Sequence, residues 1–237
     1  MVTDITYDNL DIFAYTNEKL LTAPPRGICL EVQGLNACYS IFEDPPRGVF
    51  LAEQGILHVI PYTNPWSWLN DRAFAWTEHI LAIMIDRCFG SVQPRLCVIG
   101  DSMGGYEALV FTAKTRYRVD RCCVNCPVTD LETFTQIDRS RAKTVFDAFD
   151  DAPDVWAAIR EHSPLRLIDR MPKIPYYMVQ CTGDNVLQPE IHAERYYAAA
   201  AEKMDISFDI DPGREHCDLS PAAREKYDAQ ILKTFEN

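Results

Sequence analysis

LCVIGDSMGGYEAL, residues 96 to 109, is the stretch that decides the fold of this chain. An apolar run enters a serine bracketed by glycines, and a helical pattern begins directly after it. Because Gly100 and Gly104 carry no side chain, the chain can turn tightly at Ser102 and bring strand and helix close together. A turn of this kind strains the serine backbone and holds its hydroxyl clear of the main chain. The pattern predicts a strand–turn–helix unit that presents Ser102.

Strand patterns and helical patterns alternate along most of the chain. The strand-like segments are 27–34, 55–62, 95–100, 119–128, 174–182 and 206–210, and the helical ones are 70–88, 106–116, 189–204 and 221–235. Such alternation is typical of an α/β protein with a doubly wound, mostly parallel sheet. The stretch 129–172 interrupts it, since it is richer in charge and its pattern predicts short helices. We expect a single domain, residues 1–237, with a helical cap insertion at about 129–172.

The composition limits the partners of the chain. Its 237 residues carry a net charge of −12, and this acidic balance argues against nucleic acid and membrane surfaces as main partners. The sequence shows neither a signal-peptide pattern nor an apolar run long enough to span a membrane. Several of the nine cysteines lie in apolar runs without regular spacing, which favours reduced cysteines and a cytoplasmic location. The sequence is compatible with an oligomer, but no pattern in it indicates the oligomeric state.

A serine hydroxyl acts as a nucleophile only when a base and an orienting acid assist it. In doubly wound hydrolases the acid and then the histidine follow the serine along the chain. His216 lies in a polar loop between the last strand and the last helix, which makes it the expected base. Asp184 follows the strand 174–182 at its carboxyl end, where sites form in such sheets, and is the expected acid. Asp130, which follows the strand after Ser102, stays open as the alternative.

Backbone N–H groups are the expected donors for an oxyanion formed beside Ser102. The first donor is the N–H of Met103, directly after the serine, at the start of the new helix. The second is the N–H of Leu35, which follows the strand 27–34 and the turn that Gly34 permits. Because both donors are backbone groups, the side chains of Met103 and Leu35 give little information about this role.

An aromatic loop, Tyr62 to Trp68, follows a strand that ends at the same edge of the sheet. Tyr62, Asn64, Trp66 and Trp68 are the expected substrate-binding residues, with packing of the loop onto the next helix as the alternative.

A C-x-x-C spacing, Cys123 to Cys126, falls within a predicted strand. A zinc site needs two further ligands at suitable spacing, and the neighbouring sequence offers none. Core cysteines are therefore expected here, and neither a metal nor another cofactor is predicted.

Three motifs carry a resemblance to a known family: GDSMGG at 100–105, TGDNV at 182–186 and GREHCD at 213–218. In this order they resemble the α/β-hydrolase fold. With EVQGLNACYSIFEDPPRG at 31–48 and HVIPYTNPWSWLND at 58–71, the chain is similar to small single-domain bacterial members of the prolyl oligopeptidase family, in the branch of acetyl xylan esterases and dienelactone hydrolases. The resemblance extends from Gly27 onward. Gln33 departs from it, since many relatives have His there, and the sequence contains no β-propeller, which restricts prolyl oligopeptidases to short peptides.

The resemblance implies a serine hydrolase that cleaves a small carboxylic ester through an acyl-enzyme on Ser102. An amidase or peptidase with the same three residues is the alternative, and so is an acyltransferase, because no motif reports the leaving group or the acceptor. A hydrolase fold kept as a binding protein is a third interpretation. Such a protein is expected to lack one of Ser102, Asp184 and His216, whereas this sequence has all three.

Overall fold

A seven-stranded sheet forms the centre of the molecule. The computed structural model describes residues 4–37 and 40–236. Within this part of the chain the strands are β1 (Ala14–Thr16), β2 (Gly27–Val32), β3 (Leu57–Pro61), β4 (Arg95–Asp101), β5 (Arg121–Asn125), β6 (Pro175–Cys181) and β7 (Asp205–Asp211). They lie in the order β1-β3-β2-β4-β5-β6-β7, and all neighbours run parallel except the antiparallel pair β1 and β3. The predicted doubly wound, mostly parallel sheet is confirmed.

Helices cover both faces of this sheet. They are α1 (Pro46–Glu53), α2 (Asp71–Phe89), α3 (Met103–Lys114), α4 (Leu131–Ile137), α5 (Ala142–Ala148), α6 (Val155–Glu161), α7 (Pro164–Leu167), α8 (Ala193–Ala200) and α9 (Pro221–Leu232). Successive strand residues point to opposite faces. Leu30 therefore packs in the core that α2, α3 and α8 share, whereas Cys29 packs in the core beneath α1 and α9. Burial on both faces explains why the central strands are apolar almost throughout.

The long helix α2 begins and ends where its sequence predicts. The side chain of Asn70 accepts a hydrogen bond from the N–H of Ala73, which caps the first turn. Gly90 follows the last turn with φ 59°, a left-handed conformation that glycine adopts without steric cost.

Other elements differ from the predicted ones. β1 and α1 were not predicted, because β1 is three residues long and α1 begins at the second residue of a proline pair, a pattern that is equally typical of a loop. β5 is shorter than the predicted segment 119–128. It ends before Cys126, whose φ of 45° takes the chain out of the extended conformation.

The segment 129–172 contains the short helices α4 to α7. α4 carries Phe134 to the cavity beside Ser102, and Arg141, at the start of α5, reaches the same cavity. The description of this segment as a cap on a single domain stays a prediction.

No helix in residues 4–37 and 40–236 is long and apolar enough to cross a membrane. The eight described cysteines are free thiols. The predicted cytoplasmic location stays a prediction.

Candidate active site

Ser102 occupies the turn between β4 and α3. β4 ends at Asp101 and α3 begins at Met103, so a single residue joins them. The serine has φ 59° and ψ −120°, which costs energy for a residue with a side chain. A Cβ atom on Gly100 would lie 2.2 Å from the carbonyl oxygen of Gly104, and a Cβ atom on Gly104 would lie 2.2 Å from that of Val32. Both glycines are therefore required by the close approach of α3 to the sheet.

Ser102, His216 and Asp184 form a continuous chain of hydrogen-bond contacts. Nε2 of His216 lies 2.8 Å from Oγ of Ser102, and Nδ1 of the same ring lies 2.7 Å from Oδ2 of Asp184. Asp184 follows β6, and His216 follows β7. Because β4 to β7 are parallel neighbours, their carboxyl ends meet at one edge and bring the three residues together.

Hydrogen bonds from groups other than His216 also fix the Asp184 carboxylate. Oδ1 accepts the backbone N–H groups of Val186 at 2.9 Å and Leu187 at 2.8 Å. Oδ2 also accepts a hydrogen bond from Nε2 of Gln180 at 3.1 Å. These contacts hold the carboxylate in position to orient the imidazole.

The alternative acid, Asp130, has other partners. Its Oδ2 lies 2.8 Å from Nη1 of Arg195, and its Oδ1 accepts the N–H of Thr133 at the start of α4. Asp130 is thus a helix cap within an ion pair. Among the described residues, the carboxylate in contact with His216 is that of Asp184.

The acid and the imidazole shift each other's pKa. Burial alone would raise the pKa of Asp184, but the hydrogen bonds from His216, Leu187 and Val186 outweigh it, so the pKa lies below its ordinary value. Burial alone would lower the pKa of His216, yet the hydrogen bond and negative charge of Asp184, together with Cys126, raise it to about 9. Such a pair stabilises an imidazolium, which is what a base beside a nucleophile becomes during reaction.

The structure brings the residues of both predicted oxyanion donors to the cavity beside Ser102. Leu35 and Met103 both line the cavity next to the serine. Leu35 sits in a turn closed by a 3.2 Å hydrogen bond from the N–H of Ala37 to the carbonyl of Gly34. Within the described part of the chain neither Leu35 N–H nor Met103 N–H has a protein acceptor. Both are therefore available to a bound oxygen, and their role stays a prediction.

The cavity beside Ser102 has a volume of about 360 Å³ and a largely apolar wall. Trp68 is buried in this wall, where its Nε1 donates to Oγ1 of Thr144 at 3.0 Å. Its indole also stands edge-on to Tyr106 and lies 5.2 Å from Phe134. The complete lining is Gly34, Leu35, Asn36, Trp68, Asp101, Ser102, Met103, Val128, Phe134, Arg141, Val186, Leu187, His216 and Cys217.

The other three residues predicted from the aromatic loop do not line this cavity. Tyr62 and Asn64 lie at a separate, smaller cavity of about 90 Å³, and the Tyr62 hydroxyl accepts the N–H of Ile41. Trp66 is 40% exposed. The reason is a tight turn: Ser67 N–H bonds the carbonyl of Asn64, and Trp68 has φ 45°. This turn directs Trp68 inward and leaves Asn64 and Trp66 exposed.

Two cysteines lie against His216. Sγ of Cys217 is 3.5 Å from Nε2 of His216, and Sγ of Cys126 completes a group of donor atoms that all lie within 4.8 Å of one another. Cys126 and Cys123 are both buried, as expected for core cysteines. His216 and Cys217, which lie beside Cys126, are about ninety residues away from it in sequence, so the C-x-x-C spacing could not reveal them.

Sequence reasoning also missed most of the cavity wall. Val186 and Leu187 lie two and three residues after Asp184, and an aspartate that caps the following turn through its side chain could have indicated them. Val128 and Phe134 carry no such local signal, because the segment after β5 brings them to the cavity only in the folded chain.

No protein-family model matches the chain, and no curated protein matches its sequence. Solved structures do resemble it. A puromycin-hydrolysing peptidase of Mycobacterium tuberculosis superposes with a TM-score of 0.73 at 19% identity, over 90% of this chain and 35% of the peptidase. Esterase B of Lactobacillus rhamnosis gives 0.69 at 14% identity, covering 91% of this chain and 76% of the esterase. An S-formylglutathione hydrolase of Agrobacterium tumefaciens gives 0.66 at 16%, covering 94% and 87%.

These likenesses show the fold. The chain has the α/β-hydrolase fold, as its motifs predicted, and it spans about a third of the length of the mycobacterial peptidase. At identities of 14 to 19% they identify neither a substrate nor a reaction for this chain.

Proposed function

We propose that this chain is a serine hydrolase that cleaves a small carboxylic ester through an acyl-enzyme on Ser102. The observation that carries the proposal is the contact chain from Ser102 Oγ through His216 to Asp184, at the rim of an apolar cavity. The solved structures that resemble the chain include esterases and peptidases, which supports a hydrolase of the serine type.

The first half-reaction transfers the acyl group to the enzyme. Nε2 of His216 takes the proton from Ser102 as Oγ attacks the ester carbonyl. The oxygen that becomes negative is held by the N–H groups of Met103 and Leu35, and each such donor is worth about 3 kcal/mol in the transition state. His216 then gives its proton to the departing alcohol. Asp184 stabilises the imidazolium throughout.

The second half-reaction returns the enzyme to its starting state. A water molecule takes the place of the alcohol, and His216 removes its proton as the oxygen attacks the acyl carbonyl. The carboxylic acid leaves, and the proton returns to Oγ of Ser102. No further group is needed for the balance of protons.

The cavity favours a small substrate. A volume of about 360 Å³ lies at the lower end of ligand pockets. Trp68, Phe134 and Leu187 provide apolar surface for a short acyl or alcohol group. Amide hydrolysis by the same residues is the second candidate. Its support is the similarity to the puromycin-hydrolysing peptidase, which has the largest TM-score of the three structures described above.

The proposal is tested with p-nitrophenyl esters of increasing acyl length, alongside the p-nitroanilides of the same acids. Wild type is compared with Ser102→Ala and with Ser91→Ala, a control at an exposed serine bonded to Asp86. We expect turnover of short-chain esters by wild type and the control, and a loss of at least about 10³-fold in Ser102→Ala. Equal turnover by wild type and Ser102→Ala would refute the mechanism. Faster turnover of the anilides would favour the amidase.

A further inference from the structure

The two cysteines beside His216 have no part in the proposed hydrolysis. Cys126 directly follows β5 and is buried, and Cys217 is the residue after His216 and lines the cavity. Both have positive φ values, 45° and 59°, which residues with a side chain seldom adopt. Two strained turns therefore bring both sulfur atoms to the imidazole. Two thiols and an imidazole are a donor set that Zn²⁺ prefers.

The spacing of the donor atoms fits a tetrahedral zinc ion. Zinc bonds of about 2.3 Å to sulfur and about 2.0 Å to nitrogen put the two ligand atoms about 3.5 Å apart. Sγ of Cys217 and Nε2 of His216 are separated by 3.5 Å. Two zinc-bound sulfurs lie about 3.8 Å apart. The three donors here all lie within 4.8 Å of one another, so a side-chain adjustment of about 1 Å or less brings them to three of the four tetrahedral positions. A water molecule is the expected fourth ligand.

The surroundings of His216 also suit a metal ligand. A zinc-bound histidine commonly donates its other ring N–H to a carboxylate, which fixes the tautomer and the ring. Nδ1 of His216 already contacts Asp184 at 2.7 Å, so Nε2 is the nitrogen left for a metal. The backbone N–H of Cys181 donates to Sγ of Cys126 at 3.4 Å, which holds this sulfur atom in place beside the imidazole. The cavity lined by Cys217 and His216 provides an entry path.

We propose that Cys126, His216 and Cys217 form a binding site for Zn²⁺, and that the bound ion withdraws His216 from Ser102. Nε2 cannot ligate the ion and accept the Ser102 proton with the same lone pair. Zinc is therefore expected to inhibit the hydrolase reversibly, and a chelator to restore it. The inhibitory part rests on the proposed function, whereas the binding part does not.

Binding is measured first, without reference to activity. The reduced protein is titrated with Co²⁺, which reports tetrahedral thiolate ligation through its charge-transfer and visible bands, and then with Zn²⁺ against a chromophoric chelator. We expect one ion per chain. Cys126→Ser and Cys217→Ser should each weaken Zn²⁺ binding at least about tenfold, because losing a ligand costs more than losing a group that supports one. Cys88→Ser, at a half-buried cysteine outside the group, should bind like wild type.

The outcomes separate the claims. Wild-type affinity in the double variant Cys126→Ser/Cys217→Ser, or cobalt spectra without a thiolate band, would overturn the site. Cys126→Ala serves beside Cys126→Ser so that a folding defect of one variant, seen in its thermal unfolding, does not decide the result. Thiolate-bound zinc together with undiminished ester hydrolysis would overturn the inhibitory role. If zinc binds as expected and no ester is cleaved, the proposed function fails and the site stands.

Discussion

Among the described residues, two carboxylate–imidazole pairs are in close contact, one through Nδ1 of the histidine and the other through Nε2. Oδ2 of Asp184 lies 2.7 Å from Nδ1 of His216. Oε2 of Glu31 lies 2.9 Å from Nε2 of His58. His58 lies on β3, and His216 lies in the loop after β7. Their surroundings differ. The second nitrogen of His216 meets Ser102 at the wall of a cavity, whereas Nδ1 of His58 has no partner among the described residues.

The second pair belongs to a buried ionic group. His58 is fully buried on β3, and the Glu31 carboxylate also contacts Nη1 of Arg47 at 2.9 Å. The backbone N–H of His58 donates to Asn17, which ties the strand to the segment before β2. A carboxylate–imidazole pair therefore indicates chemistry only where a nucleophile and an opening adjoin it. We expect the pair at Glu31 to contribute to stability and not to chemistry.

The largest expected difference between the pairs is in the rate after removal of the histidine. His216→Gln should lower kcat/KM for a p-nitrophenyl ester by at least about 10⁴-fold, since it removes the base. His58→Gln should leave kcat/KM within about threefold, because that imidazole touches no reacting group, and should lower the melting temperature instead. Steady-state kinetics of the two variants check this. A comparable loss of rate in both would contradict the assignment.

Removal of the carboxylates gives the next largest difference. Asp184→Asn should lower kcat by about 10³- to 10⁴-fold, because the imidazole loses its orientation and the imidazolium loses its counter-charge. Glu31→Gln should change kcat by less than about threefold, since its carboxylate serves only the fold. Rates are compared at saturating ester, with folded protein verified by circular dichroism. An active Asp184→Asn variant would show that another group orients His216.

The pH dependence of kcat/KM should report the pKa of His216 in its pair with Asp184. His216 must be neutral to accept a proton, and its pKa is raised to about 9. The value of kcat/KM should therefore rise about tenfold per pH unit up to pH 9 and level off above it. In Asp184→Asn the residual rate should level off at lower pH, because the negative charge that raises the pKa is gone. A wild-type plateau already reached at pH 6 would contradict this electrostatic account.

The second pair should appear in the pH dependence of stability. The Glu31 side chain is 22% exposed, so breaking its contacts in Glu31→Gln is expected to cost about 2 kcal/mol of unfolding free energy at neutral pH. Burial opposes ionisation of Glu31, but Arg47 and His58 outweigh it and lower the pKa from 4.5 to about 2. The stabilisation is therefore complete above pH 4.5 and is lost as the pH falls towards 2. Urea unfolding of both proteins at several pH values checks this. A difference that persists unchanged at low pH would contradict the ionic origin.

The sequence contained enough to predict the sheet and to place Ser102, Asp184 and His216 at one edge of it. The turn around Ser102 depends on neighbouring residues, so GDSMGG reveals it locally. His216 and Asp184 follow from their order along parallel strands, because strand ends meet at one edge. Both predictions depend only on the order of the strands along the chain and on their parallel direction, which a sequence pattern can indicate.

What the sequence did not reveal depends on side-chain direction and distant contacts. A loop with two tryptophans does not show that Trp68 points inward and Trp66 outward, since a single turn with φ 45° decides it. Cys126 and Cys217 are likewise neighbours only because the loop after β7 passes the carboxyl end of β5 in the folded chain. The Glu31–His58 pair connects adjacent strands β2 and β3, and a sequence pattern does not separate it from the pair at the cavity.

Covalent labelling is the most direct test of the central claim, that His216 and Asp184 activate Ser102. The protein is treated with a fluorophosphonate, and the adduct is located by mass spectrometry of its peptides, with His216→Gln and His58→Gln labelled in parallel. The account predicts a single adduct on Ser102, formed at the wild-type rate in His58→Gln and at least about 10³-fold more slowly in His216→Gln. An adduct on another residue, or equal labelling of Ser102 in the two histidine variants, would contradict it.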